Sequence, residues 1–128
     1  MSSKSKGTEA ERELLHMFWA KGYAALRSAG SGSMKYPGPD LIVSNKSRRL
    51  AIECKTTKKN KQYLDNYDIK QLKDFCEIFG AEPWFAVKFA KMQWLFLGLE
   101  DIEKTENGYV IDSKVAERRG LLIDELLK

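Results

Sequence analysis

Two carboxylates and a lysine stand where they can meet to form a hydrolytic metal site. Asp40 comes directly before the apolar run 41–43, and Glu53 and Lys55 directly follow the apolar run 50–52. Carboxylate oxygens are the ligands that hard divalent cations such as Mg²⁺ prefer. A lysine beside them can orient an attacking water or stabilise negative charge that develops in the transition state. Together these residue types suit the hydrolysis of phosphodiesters.

The two apolar runs predict a β-hairpin that would bring these groups together, because the polar residues 44–49 between them are typical of a turn. Side chains alternate between the faces of a strand, so Glu53 and Lys55 should share one face and Cys54 should lie on the other. Asp40 would then lie beside the end of the second strand. The alternative is an ordinary turn aspartate and a surface ion pair between Glu53 and Lys55.

Length and composition limit the classes of protein. A chain of 128 residues is long enough for one domain with one core, so we expect a single domain over 1–128, with residues 1–6 as a disordered basic arm. No apolar run is long enough to span a membrane, and the polar start lacks the apolar region of a signal peptide. Cys54 and Cys76 lack CxxC spacing, which favours reduced thiols and a cytoplasmic location.

Charge is distributed unevenly along the chain. Residues 1–73 hold 15 Lys/Arg and 7 Asp/Glu, a net charge of +8, whereas residues 74–128 hold 7 and 11, a net charge of −4. Such asymmetry indicates a half that binds a polyanion, with an ordinary solvated basic surface as the alternative. The basic half also contains the candidate metal site, which favours a polyanionic substrate.

Periodicity and turn signals predict the elements that position these groups. We predict helices over 8–21, 68–79 and 120–127, and strands over 23–29, 41–43, 50–52, 83–89, 94–98 and 109–111, with a lysine-rich loop from 56 to about 66. Thr8 and Glu11 have capping-box spacing at the first helix, and Gly80 suits the end of the second. The order predicts an α/β fold with a mixed central sheet flanked by helices.

Further side chains suit contact with a phosphate backbone. Guanidinium groups bind phosphate through paired hydrogen bonds, small hydroxyls in a glycine-spaced loop approach it closely, and exposed lysines follow its charge. The candidates are Arg12, Arg27, Ser31, Ser33, Lys35, Lys58, Lys59 and Lys61. The alternatives are a flexible connector for the serine loop and a solvated surface for the lysines. Glu11 is either a capping residue only or a third carboxylate that completes a metal shell through water.

In chain order these residues resemble the archaeal-type Holliday junction resolvases of the PD-(D/E)xK nuclease superfamily. The shared pattern is Gly7-x-x-x-Glu11-Arg12, Arg27-x-x-x-Ser31-Gly32-Ser33, Pro39-Asp40 and Glu53-x-Lys55. The resemblance continues through 67–71, Phe75, Phe79 and 86–89, and covers about residues 6 to 100. It implies a restriction-endonuclease-like core. Cys54 departs from the family in a position where an apolar residue is common, and we expect this conservative change not to impair the site.

The resemblance also implies roles for individual residues. The expected catalytic residues are Glu11, Asp40, Glu53, Lys55 and Ser31, and the expected ligands of Mg²⁺, for which Mn²⁺ substitutes, are Asp40, Glu53, Glu11 and the backbone carbonyl of Cys54. Ser31 is expected to contact the scissile phosphate. Arg27 and Gln71 are expected to contribute to DNA binding, and Glu11 would be an active-site acid rather than only a capping residue.

The family acts as a two-fold dimer that cuts four-way junctions on two opposed strands. The apolar residues of the second helix cover about half of its circumference, which is more than one core face requires. We therefore expect a symmetric interface that places two sites on one basic face. Its predicted residues are Phe75, Phe79, Phe89 and Trp94.

The predicted function is a Mg²⁺-dependent, structure-selective endonuclease that resolves Holliday junctions by paired symmetric nicks. Its predicted partners are four-way junction DNA and a second copy of the chain, with no membrane and no small-molecule cofactor. One alternative is another PD-(D/E)xK repair or restriction-type nuclease, which would cut linear duplex efficiently. The other is a non-catalytic junction binder, which has little use for carboxylates that face phosphate.

Overall fold

Helix α1 (Ser3–Ala20) and the three strands after it form the half of the fold that carries the candidate site. The computed structural model describes residues 3–28 and 36–128, with side chains from Gly7 onward. Strand β1 covers Ala24–Arg27, β2 covers Leu41–Ser44 and β3 covers Arg49–Thr57. Both β1 and β3 pair antiparallel with β2. The predicted hairpin is therefore confirmed.

The remaining elements complete two sheets. They are β4 (Lys61–Leu64), α2 (Asn66–Phe79), β5 (Glu82–Phe89), β6 (Leu95–Leu97), a 3₁₀ turn (Leu99–Asp101), β7 (Glu103–Lys104), β8 (Tyr109–Asp112), α3 (Ser113–Arg119) and α4 (Ile123–Leu126). The main sheet has the strand order β1-β2-β3-β5-β6, and a smaller sheet has the order β4-β8-β7. Only β3 and β5 are parallel within the main sheet, among the described strands, and α2 lies in the connection between them. The predicted mixed sheet with flanking helices is confirmed.

The core lies on both faces of the main sheet because its strands are apolar at successive positions. Leu50 and Ile52 face α1 and α4, whereas Ala51 between them faces α2 and the smaller sheet. The α1 side includes Leu14, Phe18, Leu41, Val43, Ala86, Phe96 and Leu126. The α2 side includes Leu64, Leu72, Cys76, Phe85, Val87, Leu97, Ile111 and Ala116. A strand buried on both faces holds its polar residues rigidly where the apolar run ends.

Helix α2 has well-defined ends. Asp65 is the N-cap: its side chain accepts a hydrogen bond from the Asp68 N–H at 2.8 Å, and its own N–H donates to Asp68 Oδ2 at 3.1 Å. This reciprocal pair begins the helix at Asn66 rather than at Asp68 as predicted. Gly80 ends it in the left-handed conformation, with φ of 82°, as expected of a C-terminal glycine.

Two predictions about the N-terminal region are wrong. Helix α1 begins at Ser3, so the expected disordered arm over 1–6 is helical from Ser3 onward. Thr8 therefore lies inside the helix and is not its N-cap. Glu11 is free of a capping role because the helix start is more than a turn upstream, and its side chain is directed to other partners.

From β3 onward the chain holds more regular structure than predicted. β3 continues to Thr57 because each residue pairs with parallel β5, as far as Thr57 opposite Phe89. The predicted lysine loop contains β4, which pairs with β8. The single helix predicted over 120–127 is replaced by α3 and the shorter α4. Gly120 separates them, since a Cβ there would lie 2.5 Å from the Ala116 carbonyl oxygen.

Cys54 and Cys76 are both free thiols. Over the described residues, no helix combines the length and the apolar character that a membrane crossing requires.

Candidate active site

The register of the β2–β3 hairpin brings Asp40 to Glu53. Leu41 pairs with Ile52, so the residue before β2 lies opposite the residue after Ile52. Asp40 Oδ2 accepts a hydrogen bond from the Cys54 N–H at 2.8 Å. The predicted meeting of these two carboxylates is a direct consequence of the antiparallel pairing.

Glu53 is a buried carboxylate that lacks part of its hydrogen bonding. Its residue is 6% exposed. Gln71 Nε2 donates to Glu53 Oε2 at 3.1 Å, whereas Oε1 is buried and has no hydrogen-bond partner within the described part of the chain. A buried, unsatisfied carboxylate oxygen is costly, and a bound cation would remove that cost. Glu53 is therefore the strongest candidate ligand.

The surroundings of Glu53 favour its protonated form when no cation is bound. Burial first, and then the negative charge of Asp40, raise the pKa of Glu53 to about 8, and the Lys55 ammonium opposes this only in part. Desolvation and a like charge both disfavour ionisation of a carboxyl group. A bound cation would therefore stabilise the ionised forms of Asp40 and Glu53.

Lys55 lies on the same face of β3 as Glu53, as the strand alternation predicted. Its Nζ is 3.7 Å from Asp68 Oδ1 on α2, and both side chains are largely covered. The ion pair of Lys55 is therefore formed with Asp68 of α2, whereas the alternative interpretation placed it with Glu53 on the surface. Cys54, on the opposite face, packs against the α1 side of the core.

Glu11 reaches the site from α1. Arg27 Nη1 on β1 donates to Glu11 Oε1 at 3.3 Å, with about a fifth of each side chain exposed. Burial and the charge of Asp40 raise the pKa of Glu11, and Arg27 partly offsets this. Because the charge of Asp40 affects the pKa of Glu11, Glu11 lies at the edge of the carboxylate cluster. Its own carboxylate is already paired with Arg27.

The donor set fits a hard divalent cation. Within residues 3–28 and 36–128, no three histidine, cysteine, aspartate or glutamate side chains are arranged to hold a metal by themselves. Mg²⁺ is commonly bound through one or two carboxylates and retains several waters, so such a cage is not required. Asp40 and the unsatisfied oxygen of Glu53 supply hard oxygen donors, and the Cys54 carbonyl lies next along β3.

The candidate DNA contacts fall into three groups. Ser31, Ser33 and Lys35 lie outside the described residues. Arg12, on α1, and Lys58, Lys59 and Lys61, around the β3–β4 connection, are exposed. Gln71 and Arg27 are instead engaged within the site, by Glu53 and by Glu11 respectively. The hydrogen bonds of Gln71 connect it to β3 and to Gly38, and its contact with DNA stays a prediction.

Two of the four predicted interface residues are wrong. Phe89 is 3% exposed and Trp94 is 2% exposed, so both belong to the core of their own chain. The Trp94 indole donates to Glu13 Oε1 at 2.9 Å, which satisfies its buried N–H. Phe75 and Phe79 stack with ring centroids 5.0 Å apart, and Phe79 is 46% exposed.

Sequence reasoning missed Asp68 as a partner of Lys55 and Gln71 as a partner of Glu53. A local signal was available. Asp68 and Gln71 are three residues apart on a predicted helix and therefore share a face, just as Glu53 and Lys55 share a face of their strand. What the spacing could not show is that these two faces meet.

Comparison with characterised proteins agrees with this geometry. Residues 2–128 match the family model described as archaeal Holliday junction resolvase (Hjc). The crossover junction endodeoxyribonuclease Hjc of Archaeoglobus fulgidus is 42% identical over 88% of this chain and 82% of its own length. The protein of the same name from Methanocaldococcus jannaschii is 40% identical over 86% of this chain and 78% of its own length.

A solved structure shows that the whole fold is shared. The crystal structure of Archaeoglobus fulgidus Hjc, a Holliday junction resolvase, matches with a TM-score of 0.89 and 38% identity, covering 95% of this chain and all of the other. Coverage at this level extends from the N-terminal half of the fold to the C-terminal elements. The chain therefore belongs to the archaeal Holliday junction resolvase family.

Proposed function

We propose that this chain is a metal-dependent endonuclease that resolves four-way DNA junctions as a homodimer, by paired symmetric nicks. The observation that carries the proposal is Glu53 Oε1, a buried carboxylate oxygen without a hydrogen-bond partner among the described residues. Asp40 lies beside it, with its Oδ2 accepting a hydrogen bond from the Cys54 N–H. Family membership supplies the substrate, and the buried carboxylate of Glu53 beside Asp40 supplies a reason for metal dependence.

The proposed cation is Mg²⁺, with Mn²⁺ as a substitute, held by Asp40, Glu53 and the Cys54 carbonyl, with Glu11 in contact through water. Such an ion stabilises charge on the phosphate and lowers the pKa of a coordinated water. Lys55 supplies a positive charge beside the reacting phosphate, and Asp68 keeps its ammonium near the site. Glu11, held by Arg27, keeps a carboxylate at the edge of the site.

Junction DNA is proposed to be held through its phosphates. Arg12, Lys58, Lys59 and Lys61 are exposed on the basic half of the chain and suit contacts that read shape rather than base sequence. Arg27, Ser31, Ser33 and Lys35 are proposed to act closer to the scissile phosphate. The single nuclease domain over 1–128 and the cytoplasmic location remain predictions.

The proposed dimer interface is an apolar patch formed by α2 and the segment before β2. It comprises Tyr36, Pro37, Phe75, Ile78 and Phe79, which line a groove of about 440 Å³. Ile78 is 90% exposed and Tyr36 is 69% exposed, and contiguous exposed apolar side chains commonly mark an interaction site. A symmetric contact here would place two active sites in one particle.

Asp40→Asn tests the proposal. This change keeps the size of the side chain but removes a charge that the cation needs, so junction cleavage with Mg²⁺ should fall by about a thousandfold or more while junction binding is retained. Cleavage of a labelled four-way junction and binding in Ca²⁺ are the measurements. Asp74→Asn, the same change at an exposed residue of α2 that pairs with Lys70, is the control and should cleave normally.

Substrate comparison completes the test. Symmetric paired nicks confined to the four-way junction are expected, relative to flap and linear duplex DNA of the same length. Efficient cutting of linear duplex would point instead to another nuclease of the superfamily. Near wild-type cleavage by Asp40→Asn would show that the metal-site assignment is wrong.

A further inference from the structure

We propose that α2 is a positioning element for catalysis, with two separate tasks. Gln71 orients Glu53 and the segment that leads into Asp40, and Asp68 orients Lys55. Both residues act through the catalytic groups, so they are positioning residues. The inference rests on the proposed function of Asp40, Glu53 and Lys55.

The contact between α2 and β3 depends on the residue spacing along the helix and along the strand. Asp68 and Gln71 are three residues apart, which places them about 4.5 Å apart along one face of a helix. Glu53 and Lys55 are two residues apart, which places them about 6.6 Å apart along one face of a strand. Asp68 contacts Lys55 and Gln71 contacts Glu53, so α2 and β3 run in opposite directions where they cross. Each of the two α2 residues therefore contacts a different residue of β3.

Gln71 uses both ends of its amide. Nε2 donates to Glu53 Oε2 at 3.1 Å, and Oε1 accepts from the Gly38 N–H at 3.3 Å. A backbone N–H can only donate, so Oε1 must face Gly38, and the amide nitrogen is left for the carboxylate. One side chain therefore ties β3 to the segment two residues before Asp40, and it occupies the one oxygen of Glu53 that a cation does not need.

The Asp68 carboxylate that contacts Lys55 is also fixed by a hydrogen bond within α2's N-terminal cap. Its Oδ2 accepts from the Asp65 N–H at 3.1 Å in the N-terminal cap of α2, which leaves Oδ1 to face Lys55 Nζ at 3.7 Å. The cap thus fixes the orientation of the carboxylate that attracts the lysine. Lys55 is directed by a helix end, not by the flexible geometry of a surface ion pair.

These ties are separate from the packing of the helix. α2 is anchored by Leu72 and Cys76, which are buried against the sheet, and its ends are closed by Asp65 and Gly80. Gln71 adds polar contacts where β3 and the segment before β2 pass, and Asp68 faces β3 with Oδ1 while its Oδ2 takes part in the N-terminal cap. Residues that orient metal ligands commonly change metal affinity or activity by about 10- to 100-fold when they are replaced.

The test compares Gln71→Leu with Asp68→Asn. Gln71→Leu removes both hydrogen bonds at similar size, and should weaken Mg²⁺ affinity, measured by calorimetry without DNA, by about tenfold or more. Asp68→Asn keeps an oxygen for the cap but removes the charge that faces Lys55. It should change Mg²⁺ affinity much less than Gln71→Leu does, because the charge of Asp68 is the smallest influence on Glu53, and it should lower kcat on a four-way junction severalfold, with KM unchanged. Lys73→Leu, on the exposed side of α2, is the matched control.

The outcomes are distinct. If α2 merely supports the fold, both variants should lower Tm and change metal affinity and kcat together, which would overturn the proposal. Should Gln71→Leu fold poorly, Gln71→Asn, which is too short to reach both partners, gives the same affinity readout. Wild-type Mg²⁺ affinity in a folded Gln71 variant would also overturn it. Cleavage by Asp40→Asn would instead contradict the proposed function, whatever the α2 variants do.

Discussion

Two glutamates flank Asp40, and they differ in how the chain treats their charge. Glu11 on α1 is paired with Arg27 at 3.3 Å and keeps about a fifth of its side chain exposed. Glu53 on β3 is 6% exposed, accepts one hydrogen bond from a neutral amide, and has a second oxygen without a partner among the described residues. The charge of Glu11 is partly compensated by a cation of the chain itself, whereas one oxygen of Glu53 has no such partner among the described residues.

The same difference appears in their acidities. Burial and Asp40 raise the pKa of both groups, but at Glu11 the guanidinium of Arg27 opposes the rise. At Glu53 burial is deeper and the opposing lysine is directed to Asp68, so the pKa reaches about 8. A candidate metal ligand can therefore be recognised as the carboxylate whose negative charge is least compensated by the fold.

The largest expected effect is on cleavage. Glu53→Gln should lower junction cleavage and Mg²⁺ affinity by about a thousandfold, because a direct ligand is lost. Glu11→Gln should lower them by only about tenfold, since its charge already has a partner. Single-turnover cleavage and calorimetry on both variants give the ranking. Equal losses would contradict the distinction between the two glutamates.

The next effect is on stability without metal. The unfolded chain loses the Glu53 proton near pH 4.5, but the folded chain keeps it to about pH 8, so this group makes unfolding easier as pH rises through that interval. In EDTA, Glu53→Gln should therefore be more stable than wild type by several kcal/mol at pH 9, at about 1.4 kcal/mol per pKa unit. The two proteins should be alike at pH 4, as judged by urea unfolding.

Glu11→Gln is the control for that stability measurement. Its gain at pH 9 should be small, because Arg27 loses its partner when the carboxylate is replaced. A gain as large as that of Glu53→Gln would show that the fold does not compensate Glu11.

A smaller effect is expected from the ion pair itself. In a double-mutant cycle of Arg27→Gln and Glu11→Gln, the coupling free energy of unfolding should be about 1 kcal/mol, as for a partly covered pair. Arg27→Gln alone should also raise the pKa of Glu11 further and shift its contribution to cleavage to higher pH. No coupling in the cycle would mean that the two side chains do not compensate each other in solution.

The smallest effect concerns Arg12, the exposed neighbour of Glu11 in the chain. Arg12→Ala should weaken junction binding severalfold and reduce the dependence of log Kd on log salt by about one, without changing kcat. Arg118→Ala, an exposed arginine of the acidic half, is the matched control and should bind as wild type. An unchanged salt dependence for Arg12→Ala would remove it from the DNA surface.

Local patterns predicted the parts of the fold whose cause is local. The apolar runs around 44–49 predicted the β2–β3 hairpin, and the strand alternation placed Glu53 and Lys55 on one face. Strand β4 was missed because its sequence is polar and its pairing with β8 is distant in the chain. Phe89 and Trp94 were assigned to an interface because apolar character alone does not say which surface covers a side chain.

The sequence by itself determined the residue types of the site and the register that joins them, since a hairpin of this length places Asp40 opposite Glu53 whatever surrounds it. The tertiary structure decided what each group does. Docking of α2 buries Glu53 and occupies one of its oxygens, while the other has no hydrogen bond within the part of the chain that the structure describes. Docking of α1 brings Glu11 to Arg27. The pKa values of Glu53 and Glu11 and their tendency to bind a cation depend on burial and on neighbouring charge. Both arise only when elements that are distant in the chain pack together.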